Sequence, residues 1–469
     1  MTVTAGVAAG HPATAKVGAE VLAAGGTAAD AAVAATLASC VAETLLTGIT
    51  GGGYATYYEA ATGAVTCLDF FVAVPGLDCE LTPRAMTSVE VNFGGVPMRY
   101  ALGGPSVAVP GVPAGCGELH SRWGRLPWAD VVGAAIALAR HGTTLPHAQA
   151  RTLVALAPAM LRGDGAAIYA PDGALLRGGD LLYHPGMDRV LRLLAEQGPE
   201  VFYTGEIASA TVSAIRADGG VLGDSDLAAY QVVELPVVSA EFAGYRVHGR
   251  ADLNRTVATI AALPPLRGLS RPERAVRLAD ALHDVTRPRV GDTTNISVVD
   301  ADGNACVVTT TLGLGAGVWL PGFGVHLNSM LGEEELLTAH SKPGERMSSM
   351  MCPLVVTAGG VPGAAAELVL AIGAAGASRI RTALAHTLVG VLIDGLDPAE
   401  AIARPRFHVH DGVAHAETGM PAHELAALEA AGYPVHQWEG LNHYFGGVSA
   451  VGRVGAGADP RRGGAALLV

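Results

Sequence analysis

Three short patterns in the sequence could do chemistry, and the first is a glycine-rich turn at residues 373–378. A predicted strand at 367–372 precedes this turn, and a predicted helix at 379–393 follows it. Free N–H groups at a helix N-terminus attract anions, so the turn could hold an anion or a developing oxyanion. A dinucleotide site would need glycine where Ala371 stands, and no Walker lysine follows. Nucleotide binding is therefore the weaker alternative.

The second pattern is a pair of histidines, His408 and His410, that alternate along a strand-like stretch. Two histidines on one strand face could share a metal ion, but no third ligand stands at a recognisable spacing. We therefore interpret both as solvated or core histidines and predict neither a metal site nor a cofactor. The sequence also lacks a G-x-S-x-G elbow and an H-E-x-x-H helix, which excludes the commonest serine hydrolases and zinc proteases.

The third pattern is the polar run Gly-Asp-Thr-Thr-Asn at residues 291–295, directly before a predicted strand. Taken alone, two threonines that open a strand are ordinary β-formers. The surrounding pattern predicts a hairpin with strands at 295–299 and 305–310 and an Asp-Gly turn between them. The threonines would thus lie at the end of a β-hairpin.

The rest of the chain alternates between helical and strand periodicity without a Gly/Ser or Pro-rich linker. The first 45 residues read as two helices, and a hairpin follows a run of three glycines. Further predicted elements are helices at 11–24, 28–42, 128–140 and 188–196, and strands at 54–59, 64–71 and 245–248. We therefore predict one large mixed α and β unit with no independent domain boundary.

Composition excludes several classes of protein. Of 469 residues half are apolar and 16% are charged, with a net charge of −13, so neither nucleic acid nor an anionic membrane is an expected partner. The six cysteines are scattered and read as small buried apolar residues. No apolar run reaches the roughly 18 residues of a membrane span, and the first residues lack a signal-peptide pattern. We expect a cytoplasmic location.

Many segments of the chain, taken in order, closely resemble the γ-glutamyltransferase (γ-glutamyl transpeptidase) family of N-terminal nucleophile hydrolases. The run at 291–295, followed by SVVDADGNA and TTTL, resembles the family's autoprocessing site. The other matching segments are GHPATAKVGAEVLAAGGTAADAAVA, TGITGGGYATYYEAATG, CLDF, SVAVPGVPAG, GRLPWADVV, FYTGEIA, LAAYQVV, RMSSM, ARPRF and DPRRGGAA. The resemblance therefore runs almost from end to end.

The resemblance implies an α+β fold, the four-layer αββα sandwich, and a precursor that cuts its own backbone between Asp292 and Thr293. Residues 1–292 would form a large subunit and residues 293–469 a small one, intertwined in one domain and associated as a heterodimer or a dimer of heterodimers. The new α-amine of Thr293, with an ordinary pKa of about 7.7 to 8.0, would accept the proton of its own hydroxyl. No histidine would be required.

The resemblance also assigns roles to individual residues. Thr311 would orient the nucleophile, and the backbone N–H groups of Gly376 and Ala377 would form the oxyanion hole. Ser348 and Ser349 match the serine pair that binds the α-carboxylate of the donor.

The donor pocket departs from the family pattern. Phe71 stands where the family has the arginine that binds the α-carboxylate, a loss that typically costs about 2 to 5 kcal/mol. Gly313 replaces a usual Asn and Met330 a usual Gln or Glu, whereas Glu333 keeps a carboxylate near the family's Asp. The segment at 335–346, where many members carry a lid, is short, which predicts an open pocket for a bulky acyl group.

These observations predict an N-terminal threonine hydrolase or acyltransferase with altered donor specificity, acting on a small amide or an amino-acid-derived molecule. An acylase, or an enzyme that hydrolyses a carbon–carbon bond of an amino-acid-derived intermediate, is the first alternative. An unprocessed, non-catalytic binding protein on the same fold is the second.

Overall fold

The computed structural model describes residues 4–78, 84–93, 96–283, 293–333, 336, 341–358 and 366–469. The helices in these ranges are α1 Pro12–Ala23, α2 Ala28–Ala42, α3 Val112–Trp123, α4 Trp128–His141, α5 His147–Met160, α6 Gly165–Tyr169, α7 Met187–Gln197, α8 Glu206–Ala217, α9 Asp224–Ala228, α10 Thr256–Ala262, α11 Arg271–Leu282, α12 Arg379–Leu392, α13 Pro398–Ala403 and α14 Ala422–Ala430.

The strands of the first half are β1 Gly6–Ala9, β2 Gly52–Glu59, β3 Ala64–Phe70, β4 Thr87–Phe93, β5 Val96–Leu102, β6 Thr143–Thr144, β7 Leu181–Leu182, β8 Val233–Leu235, β9 Val238–Phe242 and β10 Tyr245–Gly249. Those of the second half are β11 Thr294–Val299, β12 Ala305–Thr311, β13 Trp319–Leu320, β14 Val325–His326, β15 Leu354–Ala358, β16 Leu368–Ala375, β17 Phe407–His410, β18 Val413–Ala416, β19 Val435–Gln437, β20 Gly447–Gly452, β21 Gly455–Ala458 and β22 Ala465–Leu468.

Two antiparallel sheets form the centre of the molecule. The first has the strand order β22-β1-β11-β12-β2-β3-β8, and the second β21-β20-β16-β15-β10-β9. The sheets face each other where β11 and β12 contact β16 and β20. Helices α1 and α2 cover the outer face of the first sheet, and α12 and α13 that of the second. This is the predicted four-layer αββα sandwich of the α+β class.

Helix α2 shows why small apolar residues dominate this chain. Its fifteen residues are all buried, because it packs on β11 and β12 while α1, α3 and α4 contact its other sides. Thr27 and Asp30 form a capping box at its start. The alanines let the surrounding elements approach closely, and the helix therefore supports the central strands directly beneath residues 294–299.

Strands from both sides of residue 293 are interleaved in the first sheet. Strand β11 pairs with β1 and β12, strand β12 pairs with β2, and the last strand, β22, pairs with the first, β1. The second sheet likewise joins β15 to β10. Residues before and after position 293 thus share both sheets and one core. The predicted subunit division itself stays a prediction.

Two element predictions were wrong. The opening residues contain a strand, β1, before the first helix. It is only four residues long and pairs with β11 and β22, which lie far away in the sequence (Gly6 with Val299 and with Leu468), so no local pattern marks it. Strand β16 also continues to Ala375, through half of the predicted glycine-rich turn. A Cβ at Gly373 would lie 2.0 Å from Oδ1 of Asn295, so Gly373 serves the close approach of the sheets rather than a turn.

Other features follow the sequence more closely. Five cysteines (Cys40, Cys67, Cys116, Cys306 and Cys352) are buried and free, as predicted, and Cys79 lies outside the described residues. Among the helices of the described ranges, none combines the length and apolar character that a membrane span needs.

Candidate active site

Thr293 lies just before β11, at the end of the first sheet where it faces the end of β16. Its side chain is buried, with 4% of the residue exposed. The hydroxyl oxygen Oγ1 accepts a hydrogen bond from the N–H of Gly376 at 3.0 Å, and its carbonyl oxygen accepts one from Nη1 of Arg462 at 3.2 Å. Asp292 lies outside the described residues. A hydroxyl held in this way has a fixed position at the junction of the two sheets.

The turn between β16 and α12 brings Gly376 to this hydroxyl. Gly376 has φ of 120°, and a Cβ there would lie 2.9 Å from Cα of Gly446, so only glycine fits. Ala377 has φ of 51°, the left-handed region that costs a non-glycine residue about 1–2 kcal/mol. The two residues that were assigned to the oxyanion hole therefore form a strained turn directly beside Thr293.

Thr311 ends β12 next to Thr293. The register pairs Thr294 with Thr310, so the following positions, Thr293 and Thr311, are neighbours at the same sheet end. Oγ1 of Thr311 accepts the N–H of Gly313 at 3.0 Å. Gly313 has φ of 67°, and a Cβ on it would lie 2.6 Å from Oγ of Ser329 and 3.2 Å from Oε1 of Glu333. A side chain at position 313 would therefore press against Ser329 and the carboxylate of Glu333.

A cavity of about 260 Å³ opens in front of Thr293. It is lined by Phe71, Thr293, Thr311, Met330, Glu333, Leu336, Ser349, Met350, Met351, Ala377 and Ile380. Among these described lining residues, Glu333 is the one charged side chain, and it is 2% exposed. The cavity is thus apolar except for one carboxylate and the hydroxyl groups of Thr293, Thr311 and Ser349.

The structure brings nine of the sequence-predicted residues together at the site, while Ser348 does not reach it and Asp292 lies outside the described residues. Seven of them line the cavity: Thr293, Thr311, Ala377, Phe71, Met330, Glu333 and Ser349. Gly376 reaches the site through its hydrogen bond to Thr293, and Gly313 through its closeness to Glu333. Ser348 is not among the lining residues, so of the serine pair only Ser349 lies at the cavity.

Phe71 is buried within a stack of side chains. Its ring stacks on Tyr54, with centroids 5.5 Å apart, and the guanidinium of Arg250 lies over the other ring at 3.8 Å. Arg346 donates to the carbonyl oxygen of Phe71 at 2.5 Å and lies 3.4 Å from the carboxylate of Asp69. Both arginines lie close to the cavity, but neither lines it.

A second group of polar residues, which the sequence did not reveal, lies behind Thr293. The buried carboxylate of Glu43 accepts Oγ1 of Thr14 at 2.8 Å and Oγ1 of Thr294 at 2.5 Å. Burial raises the pKa of Glu43 to about 7, while the two hydroxyl groups and nearby Arg462 oppose that rise. An acid that directly follows a helix built mostly of small apolar residues was the available signal.

A separate cavity of about 220 Å³ adjoins this polar group. Its lining residues are Gly10, Leu46, Thr293, Thr294, Asn295, Ala375, Gly447, Val448, Ser449, Asp459 and Arg462. Since Thr293 belongs to both cavities, it lies between an apolar space and a polar one.

His408 is buried, and its Nδ1 lies 2.9 Å from the hydroxyl of Thr382. The rings of His408 and His410 stack with centroids 6.4 Å apart. Within the described ranges, no cluster of three or more His, Cys, Asp or Glu residues is arranged to hold a metal ion.

Comparison with known proteins agrees with the site. Residues 14–287 and 271–469 match the family model described as Gamma-glutamyltranspeptidase. The acylase ACY 1 proenzyme of Pseudomonas sp. (strain V22) is 28% identical over 91% of this chain and 86% of its own length. The glutathione hydrolase proenzyme of Escherichia coli (strain K12) is 27% identical over 90% and 84%, respectively.

Among solved structures, the cephalosporin acylase from Bacillus halodurans superposes with a TM-score of 0.81 at 21% identity, covering 100% of this chain and 96% of that chain. This likeness shows the shared fold. Together with the match over nearly all of the sequence, it establishes that the chain belongs to the gamma-glutamyltranspeptidase family of hydrolases.

Proposed function

We propose that the chain is an N-terminal threonine hydrolase or acyltransferase that cuts its backbone between Asp292 and Thr293 and then cleaves a small amide through an ester on Thr293. The observation that carries this proposal is the buried Oγ1 of Thr293, 3.0 Å from the N–H of Gly376 and at the wall of a mostly apolar cavity. The two processed chains would remain together as a heterodimer.

In the proposed self-cleavage, the hydroxyl oxygen of Thr293 attacks the carbonyl carbon of Asp292. The C–N bond breaks as the ester forms, and the nitrogen becomes the free α-amine. Water then hydrolyses the ester, which leaves a carboxylate on Asp292 and restores the hydroxyl. Nucleophile and base are thereafter carried by one residue.

In the proposed turnover, the α-amine accepts the proton of the hydroxyl as Oγ1 attacks the carbonyl carbon of the substrate. The N–H groups of Gly376 and Ala377 stabilise the oxyanion, and the leaving amine takes up the proton. Water, or an acceptor amine, then attacks the ester and releases the acyl group. In this second step the attacking water or amine gives a proton to the α-amine, which passes it to Oγ1 as the ester bond breaks.

The cavity lining supports a particular class of acyl group. Phe71, Met330, Met350 and Ile380 offer apolar contacts, and Glu333 offers a partner for an amino group. We therefore propose a largely apolar acyl group that carries an amine. An α-carboxylate, as in a γ-glutamyl donor, would face no cationic side chain among the described lining residues.

The same lining supports one alternative, an acylase or a hydrolase of a carbon–carbon bond in an amino-acid-derived intermediate. A panel of γ-glutamyl, glutaryl and aromatic amides separates these activities by their relative kcat/KM. Turnover of a γ-glutamyl anilide far above that of the apolar amides would contradict the proposed specificity.

Intact-mass measurement and N-terminal sequencing test the nucleophile. We expect two chains, the second beginning Thr-Thr-Asn-Ile, and we expect Thr293→Ala to remain one chain without turnover. Thr293→Ser is the matched control, because it keeps a hydroxyl group and should still be cleaved. An uncleaved wild-type protein would favour the non-catalytic binding protein, and an active Thr293→Ala would exclude Thr293 as nucleophile.

A further inference from the structure

The loop at residues 250–255, between β10 and α10, contacts two walls of the candidate site from outside. Nδ2 of Asn254 donates to the carbonyl oxygen of Ala377 at 3.0 Å. On the other wall, the N–H of Leu253 donates to the carbonyl oxygen of Ser349 at 3.0 Å. Nη1 of Arg250 donates to the carbonyl oxygens of Ser349 at 3.3 Å and Met351 at 2.7 Å. One loop therefore holds both the turn at Gly376 and Ala377 and the segment that contains Ser349 and Met351.

Ala377 is the residue for which such a restraint matters most. Four non-glycine residues in the described ranges have positive φ, and Ala377 is the one that lines the cavity. An alanine gains about 1–2 kcal/mol by leaving the left-handed region, so this conformation persists only where the surroundings hold it. Its carbonyl oxygen accepts Asn254 Nδ2 from one side and the N–H of Ile380 at 3.1 Å from its own helix.

Asn254 is itself held on both sides. Its N–H donates to Oδ1 of Asp252 at 2.8 Å, and its carbonyl oxygen accepts Nη1 of Arg381, from the first turn of α12, at 3.1 Å. The second carboxylate oxygen of Asp252 accepts the N–H of Thr256 at 2.8 Å. With 2% of the residue exposed, Asn254 is fixed before any substrate arrives.

We infer that Asn254 is a positioning residue: its amide holds the left-handed turn at Ala377 in the orientation that presents the oxyanion-hole N–H groups. The inference rests on the proposed function. Asn254 precedes position 293, whereas both proposed donors of the oxyanion hole, Gly376 and Ala377, follow it. The inference therefore adds a residue of the predicted large subunit to a site in the predicted small subunit.

A double-mutant cycle tests this inference in the cleaved enzyme, with the best amide of the panel as substrate. Misplacement of a catalytic group by about 1 Å costs on the order of 100-fold in rate, so we expect Asn254→Ala to lower kcat about 10- to 100-fold with little change in KM. Glycine adopts positive φ without strain, so in the Ala377→Gly background the decrease in kcat caused by Asn254→Ala should be several-fold smaller.

Ala243 provides the matched control. It has φ of 53° in the turn between β9 and β10, its carbonyl oxygen is held by Nη2 of Arg267 at 3.0 Å, and it does not line the cavity. The double variant Asn254→Ala/Ala243→Gly should therefore show the same loss in kcat as Asn254→Ala alone. Asn254→Asp, which places an acceptor against the carbonyl oxygen, should be at least as damaging as the alanine variant.

An unchanged kcat in cleaved Asn254→Ala, or an equal loss in the alanine and glycine backgrounds, would overturn the inference. Should Asn254→Ala fail to fold, Asn254→Ser gives the same comparison with a shorter donor. Intact mass of each sample reports the cleaved fraction, and Thr293→Ala reports the nucleophile. A failed positioning role therefore remains distinguishable from a failed proposed function.

Discussion

The two cavities that meet at Thr293 have opposite characters. The cavity in front, about 260 Å³, is lined by methionines, Phe71 and Ile380 with one carboxylate, whereas the cavity behind, about 220 Å³, is lined by hydroxyl, amide and charged groups including Asp459 and Arg462. In the lining of the rear cavity, Thr294, Asn295, Asp459 and Arg462 belong to segments that match the family motifs, whereas in the lining of the front cavity Phe71 and Met330 depart from them. Under the proposed function, the surroundings of the nucleophile thus follow the family pattern, while the surface that would contact the acyl group departs from it.

The largest effect that would test the rear wall comes from Arg462→Met. Arg462 is 3% exposed, donates to the carbonyl oxygen of Thr293, and lies close enough to Glu43 to lower its pKa. Loss of a charged donor to a buried carbonyl oxygen costs about 1.5–3 kcal/mol, and loss of the cation that lowers the pKa of Glu43 adds to this cost, so we expect the free energy of unfolding in urea to fall by about 3 kcal/mol or more.

Arg453→Met is its matched control, because that arginine pairs with the exposed carboxylate of Glu367. A pair of this kind contributes about 1 kcal/mol or less. Equal destabilisation by the two variants would show that the rear wall is no more tightly coupled than the surface.

A pH-dependent effect of roughly 3 kcal/mol should come from Glu43→Gln. The folded carboxyl group has a pKa of about 7 against an ordinary 4.5, so between these values the folded state binds more protons than the unfolded state. Stability therefore falls as pH rises through this window, and a glutamine, which cannot ionise, removes that fall. Unfolding free energies at pH 5, 6, 7 and 8 would measure it.

The comparison of the two proteins isolates Glu43 from other titrating groups. Burial lowers the pKa of His326 and of His386 to about 3, which makes stability rise with pH, but identically in both proteins. The groups around Glu43 are Thr14, Thr294, Arg462 and the thiol of Cys40. Parallel pH profiles of the two proteins would mean that the pKa of Glu43 is the same in the folded and the unfolded state, which would contradict the prediction.

The smallest of these effects concerns selectivity at the front wall. Glu333→Gln should lower kcat/KM about 10- to 100-fold for acyl donors that carry an amine, since a charge-assisted hydrogen bond is worth about 1.5–3 kcal/mol. The analogue without the amine should lose much less, and Met330→Leu serves as an apolar comparison at a neighbouring position. An equal loss for both donors would show that Glu333 does not contact the acyl group.

Local patterns predicted most of the secondary structure and the site residues that belong to contiguous motifs. Helix α2 begins and ends at its predicted residues, and Thr293, Thr311 and Ala377 meet as the family motifs imply. Contacts between distant parts of the chain were not predicted. Glu43 is hydrogen-bonded to Thr294, 251 positions away, and Asn254 to Ala377, 123 positions away. Partners this far apart cannot be identified from local spacing in the sequence.

The interleaving of strands in the first sheet affects how a cleaved molecule could refold after denaturation. Because β1 lies between β11 and β22, and β12 lies beside β2, neither fragment can complete that sheet by itself. Reassembly would then be a second-order reaction whose rate scales with the concentrations of both pieces, whereas the intact precursor folds by a first-order one. The lifetime of the cleaved protein would then depend on its unfolding rate, because refolding from two separate fragments would be slow.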